Sequence, residues 1–186
     1  MEDIEMRTRR RRRPASVGLV VGAGLFSLIL AAIPAAKPCA AMGAEARIGA
    51  PAPNFTLSDS NGKTVFLAAF KGKTIVLEWS NHVCPYVRKH YGGNSVPALQ
   101  EKWTAQGSVW LTLISSHPGA QGFVHGLEAT KLTVERGAAP TAVLFDPTGK
   151  VGHSYGAQVT PHMYVIGSDG VLRYVGGIDD KPTTRV

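Results

Sequence analysis

The chain has 186 residues, 44% of them hydrophobic and 18% charged, which fits a globular protein and excludes a disordered or fibrous one. Its formal net charge of +7 is divided: residues 1–46 hold seven basic and four acidic residues, and residues 47–186 hold thirteen and nine. No later segment interleaves basic clusters with aromatics, so no nucleic-acid partner is expected.

The N-terminus reads as an address. Six arginines fall between Arg7 and Arg13, an uncharged run follows from Val17 to Ile33, and small residues come next. That is the order of an export signal. Cleavage sites are offered by Ala44-Glu45-Ala46 and, earlier, by Cys39-Ala40-Ala41. Lys37-Pro38 precedes Cys39 where a lipoprotein signal has Leu and small residues, so Cys39 is read as discarded. Arg12-Arg13 matches a twin-arginine signal only loosely, because Pro14-Ala15-Ser16 follows. The alternative is an uncleaved anchor, which is then the one expected membrane contact. A run of 17 residues is near the lower limit for a bilayer span, and its glycines and Pro34 favour removal. The expected division is a signal over residues 1–46 and one domain over 47–186, exported to a periplasmic or extracellular space.

Ile48 to Phe70 gives short apolar pieces broken by Pro51, Pro53 and the turn pair Asn61-Gly62, a small hairpin with Thr64 to Leu67 as one arm. Thr74 to Leu77 is a continuous apolar run, the pattern of a strand buried on both faces. Pro85 suits the first turn of a helix, where its missing N–H is no loss. That helix is expected to reach about Gln106, bent near Gly92-Gly93 or Pro97. A strand follows over Val109 to Ile114, then a helix from about Phe123 to Arg136 and a strand over Ala142 to Phe145. His162 to Ile166 and Val171 to Val175 flank Ser168-Asp169-Gly170 as a hairpin. This is an α/β pattern, a central mixed sheet covered by helices.

Two residues stand out chemically. Cys84 falls between the buried strand and the helix start, where free N–H groups and the helix dipole favour thiolate over thiol. Arg88, Lys89 and His90 follow on the same helix and add positive potential. Thiolate is the nucleophile of disulfide exchange and peroxide reduction; the alternative is an inert, packed cysteine. Glu78 interrupts the apolar strand, where an ionised carboxylate is costly. Either it points to a polar rim and pairs with Lys or Arg, or it is buried with a raised pKa and passes protons to the thiol through water.

Gly49-Ala50-Pro51-Ala52-Pro53-Asn54-Phe55-Thr56-Leu57, then Asp59, Gly62-Lys63, Phe70-Lys71-Gly72-Lys73 and Cys84-Pro85 together resemble the opening of redoxin proteins. These are the alkyl hydroperoxide reductase/thiol-specific antioxidant branch of the thioredoxin superfamily, and the resemblance runs from about Ile48 to Asp180. It implies a thioredoxin fold with Cys84 at the first core helix. It also implies a cis-proline loop beside the thiol, matched by Thr160-Pro161, whose backbone would hold a peptide or mixed-disulfide partner. Glu78 matches the buried acid of thioredoxins. Cys84, Glu78 and Asn81 are therefore the candidate catalytic residues, with Pro85, Thr160 and Pro161 at the substrate.

The departures narrow the chemistry. Val87 stands where a C-x-x-C motif has its second cysteine, and no cysteine follows Cys84. An external thiol or a thiol/disulfide protein is then the expected partner, and no organic cofactor is implied. Peroxiredoxins place Pro and Thr or Ser seven and three residues before the reactive cysteine, and this chain has Leu77 and Asn81. Arg136 and Arg173 are both candidates to assist the thiol. The competing class is a non-enzymatic thioredoxin-fold module that holds copper or a protein, with His82 and His162 nearest in sequence to the site. Arg88 replaces the second cysteine of the C-x-x-x-C copper chaperones, and no metal site is assigned. The resemblance also implies a helix that covers one sheet face after the final hairpin, for which no segment follows Ile178-Asp179-Asp180 before Val186, so a fragment with an exposed apolar face is expected.

Overall fold

The computed structural model describes residues 45–181 and 183–185. The signal expected over 1–46, with Cys39 and the earlier cleavage site, lies outside them except for Glu45 and Ala46. Among the described residues no helix is long and apolar enough to cross a membrane.

Seven strands form one mixed sheet. In chain order they are β1 (Thr56–Asp59), β2 (Thr64–Phe66), β3 (Ile75–Trp79), β4 (Val109–Ile114), β5 (Ala142–Phe145), β6 (His162–Ile166) and β7 (Leu172–Gly176). Their spatial order is β2-β1-β5-β4-β3-β6-β7. β3 runs parallel to β4 and antiparallel to β6, so it is paired on both edges. All five of its residues are buried, as its continuous apolar run requires. Successive side chains point to opposite faces. Ile75, Leu77 and Trp79 join Phe55, Leu111, Leu113, Tyr155 and Tyr164 in the larger core. Val76 joins Val87, Tyr91, Val96, Trp110 and Met163 in a second one.

The helices are α1 (Pro85–Gly92), α2 (Ser95–Ala105), α3 (Gly126–Glu135) and α4 (Lys150–Tyr155). The single bent helix expected from Pro85 to Gln106 is two helices. Gly93 caps the first, and Asn94 turns the chain in the left-handed region at φ 57°, which asparagine tolerates better than most residues. Pro97 does no damage in the first turn of α2, whose N–H groups have no helical acceptor. α3 begins three residues later than expected, at Gly126 rather than Phe123. α4 and a 3-10 turn over Leu67–Phe70 are too short for periodicity to reveal. Among the described residues none after β7 is helical. An apolar groove of about 340 Å³ lies open there between α2 and β6–β7, lined by Trp103, Trp110, Met163, Val165, Tyr174 and Ile178.

Candidate active site

Cys84 is the residue immediately before α1, with extended backbone and Pro85 at the first helical position. A tight turn delivers it there. The Cys84 N–H donates to the Asn81 carbonyl at 3.0 Å, and the Val83 N–H donates to Asn81 Oδ1 at 3.0 Å. The Thr160–Pro161 bond is cis, as expected, and the Cys84 thiol donates to the Thr160 carbonyl at 3.2 Å. The structure thus brings Cys84, Pro85, Thr160 and Pro161 into one place from positions 76 apart in the chain. Burial of the sulfur pushes its pKa up. Hydrogen bonds from the Thr160 side chain and from the backbone of Val87 and Tyr86 outweigh that burial, so the thiol titrates below its ordinary 9.0.

Glu78 is fully buried, and among the described residues it has no ion-pair partner. The polar-rim alternative does not hold. Instead four neutral groups converge on its carboxyl. Tyr91 Oη donates to Oε1 at 2.9 Å; Trp110 Nε1, Gln100 Nε2 and Thr112 Oγ1 donate to Oε2 at 2.9, 3.2 and 3.4 Å. Burial dominates over these bonds and raises the carboxyl above its ordinary 4.5. Tyr91 and Gln100 also bond each other, at 3.3 Å. No hydrogen bond joins Glu78 to Cys84; they share only the cluster built on Val76, Val87 and Tyr91, against which the Cys84 side chain packs.

Asn81 is already engaged. Besides accepting from Val83, its Nδ2 donates to the Gln121 carbonyl at 3.3 Å. The two arginines separate clearly. Arg173 is ion-paired to Asp169 in the β6–β7 turn. Arg136 packs between Tyr91 and His82, its guanidinium 4.9 Å from the Tyr91 ring centroid and its Nη2 donating to the His82 carbonyl at 3.3 Å; it is not among the groups that shift the Cys84 thiol. Burial and that guanidinium hold the His82 imidazole below its ordinary value, and its Nδ1 is buried without a partner. Tyr164 gives its hydroxyl proton to the Tyr155 carbonyl, so His162 Nδ1 is the donor in its 3.1 Å bond to Tyr164. Among the described residues no three His, Cys, Asp or Glu side chains converge as metal ligands.

Two open grooves meet at the Val159-Thr160 ridge. One, of about 310 Å³, is polar, with Ser80, Asn81, Ser115, Ser116 and Gln158. The other, of about 350 Å³, is lined by Tyr86, His90, Pro161, Ile178, Asp179 and Asp180. The sequence reading missed this second wall and the four groups around Glu78. Nothing local marked Tyr91, near the end of α1, or Gln100 or Asp179.

The profile of the AhpC/TSA family matches residues 48–175. No curated protein matches the chain. Among solved structures, an uncharacterized conserved protein of Geobacillus kaustophilus is 25% identical, with a TM-score of 0.65 over 73% of this chain and 71% of that one. An exposed lipoprotein thioredoxin of Streptococcus pneumoniae is 26% identical, with a TM-score of 0.53 over 68% and 91%. The thioredoxin domain of a thiol-disulfide oxidoreductase from Bacteroides vulgatus, 19% identical with a TM-score of 0.56 over 69% and 87%, shares the fold. The chain belongs to the AhpC/TSA family of thioredoxin-like oxidoreductases.

Proposed function

We propose that this protein exchanges disulfides with an exported polypeptide partner through Cys84 alone. The observation that carries the reading is Cys84 at the start of α1, its sulfur on the Thr160 carbonyl beside cis-Pro161 and its pKa lowered. The Cys84 thiolate attacks one sulfur of the partner's disulfide. A bond forms from Cys84 Sγ to that sulfur, and the other partner sulfur leaves as a thiolate. An external thiol then attacks the Cys84 side of the mixed disulfide, releases the partner thiol, and a second external thiol frees Cys84. The net change reduces one partner disulfide and oxidises two external thiols. Among the described residues the backbone N–H groups of Val159 and Thr160 have no intrachain acceptor, which leaves them for an extended partner strand.

Glu78, through the Tyr91 and Gln100 shell, is the group we assign to proton exchange beneath the site, and Asn81 sets the turn that presents the thiol. Peroxide is the second reading, favoured by family membership. It is weakened by Leu77 and by an Asn81 amide committed to Val83 and Gln121. Export rests on the N-terminal pattern and is supported by the likeness to an exposed lipoprotein thioredoxin. The test is the pH dependence of Cys84 alkylation, followed by the mass of the products after a disulfide or a peroxide is added. A midpoint below 9.0 with a mixed disulfide that Cys84→Ser abolishes is expected. A sulfenic acid formed faster than the mixed disulfide would move the function to peroxide, and an unreactive thiol would end both readings.

A further inference from the structure

Glu78 is fully buried, and a carboxyl that exchanges protons needs a way out for them. Two of the groups bonded to it cannot serve. Trp110 Nε1 and Gln100 Nε2 donate N–H and offer no lone pair to an incoming proton. The hydroxyls of Tyr91 and Thr112 can take one proton while giving another. Both residues, with Ser80, line a small cavity of about 30 Å³. That is room for one or two waters.

His82 and Arg136 line the same cavity. Among the described residues, His82 Nδ1 is the one buried side-chain polar atom without a hydrogen-bond partner. The Gly122 backbone raises the imidazole, as a carbonyl that accepts from the ring does, so with Nδ1 unpartnered the ring hydrogen is on Nε2. Nδ1 is then a bare base. Glu128 also favours the charged ring, but burial, Arg136 and Arg88 outweigh both and hold it neutral. Arg136 keeps its full effect. The buried Lys89 is ion-paired to Asp179 at 2.7 Å, whereas the Arg136 guanidinium meets no carboxylate among the described residues. The His82 ring is only half-buried, so it also reaches solvent. Tyr91, the titratable group bonded to Glu78, is pushed far up by burial and stays neutral.

We propose that His82 is the positioning residue through which the Glu78 shell trades protons with solvent, by way of water in this cavity. The proposal rests on the assignment of Glu78 to proton exchange. On the way out, Glu78 gives its proton to a shell hydroxyl, which passes its own to the water. The water then passes one to His82 Nδ1. The imidazolium releases its Nε2 proton to bulk water, which leaves the ring hydrogen on Nδ1. The inward transfer runs these steps in reverse and restores the ring. Each hydroxyl and the water give one proton for each they take, so only Glu78 changes charge. One outward and one inward transfer fit a cycle in which Glu78 ionises once and is reprotonated once.

The experiment follows turnover of hydroxyethyl disulfide by the full chain, with glutathione as the external thiol, beside melting across pH. Glu78→Gln and His82→Ala are each expected to slow turnover about tenfold, and the double variant no further. Free imidazole is expected to restore His82→Ala and not Glu78→Gln. His82→Asn, which accepts a hydrogen bond but takes up no proton, is expected to be as slow as His82→Ala. A relay changes rates and not affinities, so the melting difference made by Glu78→Gln should keep its pH dependence in the His82→Ala background. A variant slowed only by damage to the fold is not restored by imidazole. An undiminished rate in His82→Ala, a loss that imidazole leaves in place, or parent turnover in His82→Asn overturns the relay and leaves the Glu78 assignment standing. So does a melting difference that loses its pH dependence in the His82→Ala background. Glu78→Gln at the parent rate overturns that assignment, and the relay with it. No turnover in the unmodified protein overturns the exchange reading and both roles built on it.

Discussion

The two faces of β3 are built on opposite terms. On one, Trp79 stacks with Tyr155 and Tyr164 at centroid distances of 5.3 and 5.0 Å, and each polar atom of the trio is spent on a neighbour. Trp79 Nε1 donates to Ser115, Tyr155 to the Pro53 carbonyl and Tyr164 to the Tyr155 carbonyl. On the other, one residue earlier, Glu78 puts a carboxyl into a space without a paired cation and needs four donors to hold it. The first face stabilises the fold. The second gives up stability to hold an ionisable group on the side of the sheet where Cys84 packs.

The largest test of this division is Trp79→Ala. Removing the ring from the aromatic trio and leaving a cavity is expected to cost about 3–5 kcal/mol, measured by denaturant unfolding. A loss below about 1 kcal/mol would mean that the trio contributes little and the division is misplaced.

A smaller effect is expected where the turn before Cys84 is locked. Gly122 has φ +83°, and a Cβ there would stand 2.3 Å from Asn81 Oδ1. Gly122→Ala therefore displaces Asn81, releases the Val83 N–H and strains the backbone, for a loss of about 1–3 kcal/mol. The alkylation midpoint of Cys84 is expected to move as well. Asn81→Ala in the same chain removes the clash and should recover part of the stability, leaving the strain of the positive φ. If the two substitutions add without coupling, Asn81 does not set the turn.

How much of this was legible in the sequence follows from how far apart the partners lie. Cys84 carries a local mark, a proline at a helix start, whereas Thr160-Pro161 was placed beside it only by the resemblance to redoxins, because a proline before a hairpin does not by itself say what it packs against. The strands of the sheet center were found because an apolar run needs no partner to be seen. The shell of Glu78 was not, because its donors are 13, 22, 32 and 34 residues away and none is unusual where it stands. Lys89 and Asp179 are 90 apart, and each reads as a surface charge. The break between α1 and α2 was half visible: Gly92-Gly93 announced a bend, and the left-handed Asn94 makes it a separation.

The last prediction separates the faces by pH. Folding raises the Glu78 carboxyl, chiefly by burial, so the folded state prefers it protonated. Below the ordinary value of 4.5 both states carry the proton and the group adds no penalty. As the pH rises from there the unfolded chain ionises first, and stability falls until the folded carboxyl also loses its proton. Each tenfold difference in proton affinity between the two states amounts to about 1.4 kcal/mol. Glu78→Gln removes the ionisation and keeps an oxygen for Trp110, Gln100 and Thr112, while its amide can donate to Tyr91. The variant is expected to melt near the parent below pH 4.5 and above it by a margin that widens toward neutral pH, whereas Trp79→Ala is lower by a similar amount throughout. A margin that narrows with rising pH would mean that the four donors outweigh burial, and Glu78 would then be an ionised structural hub rather than a group poised to exchange a proton.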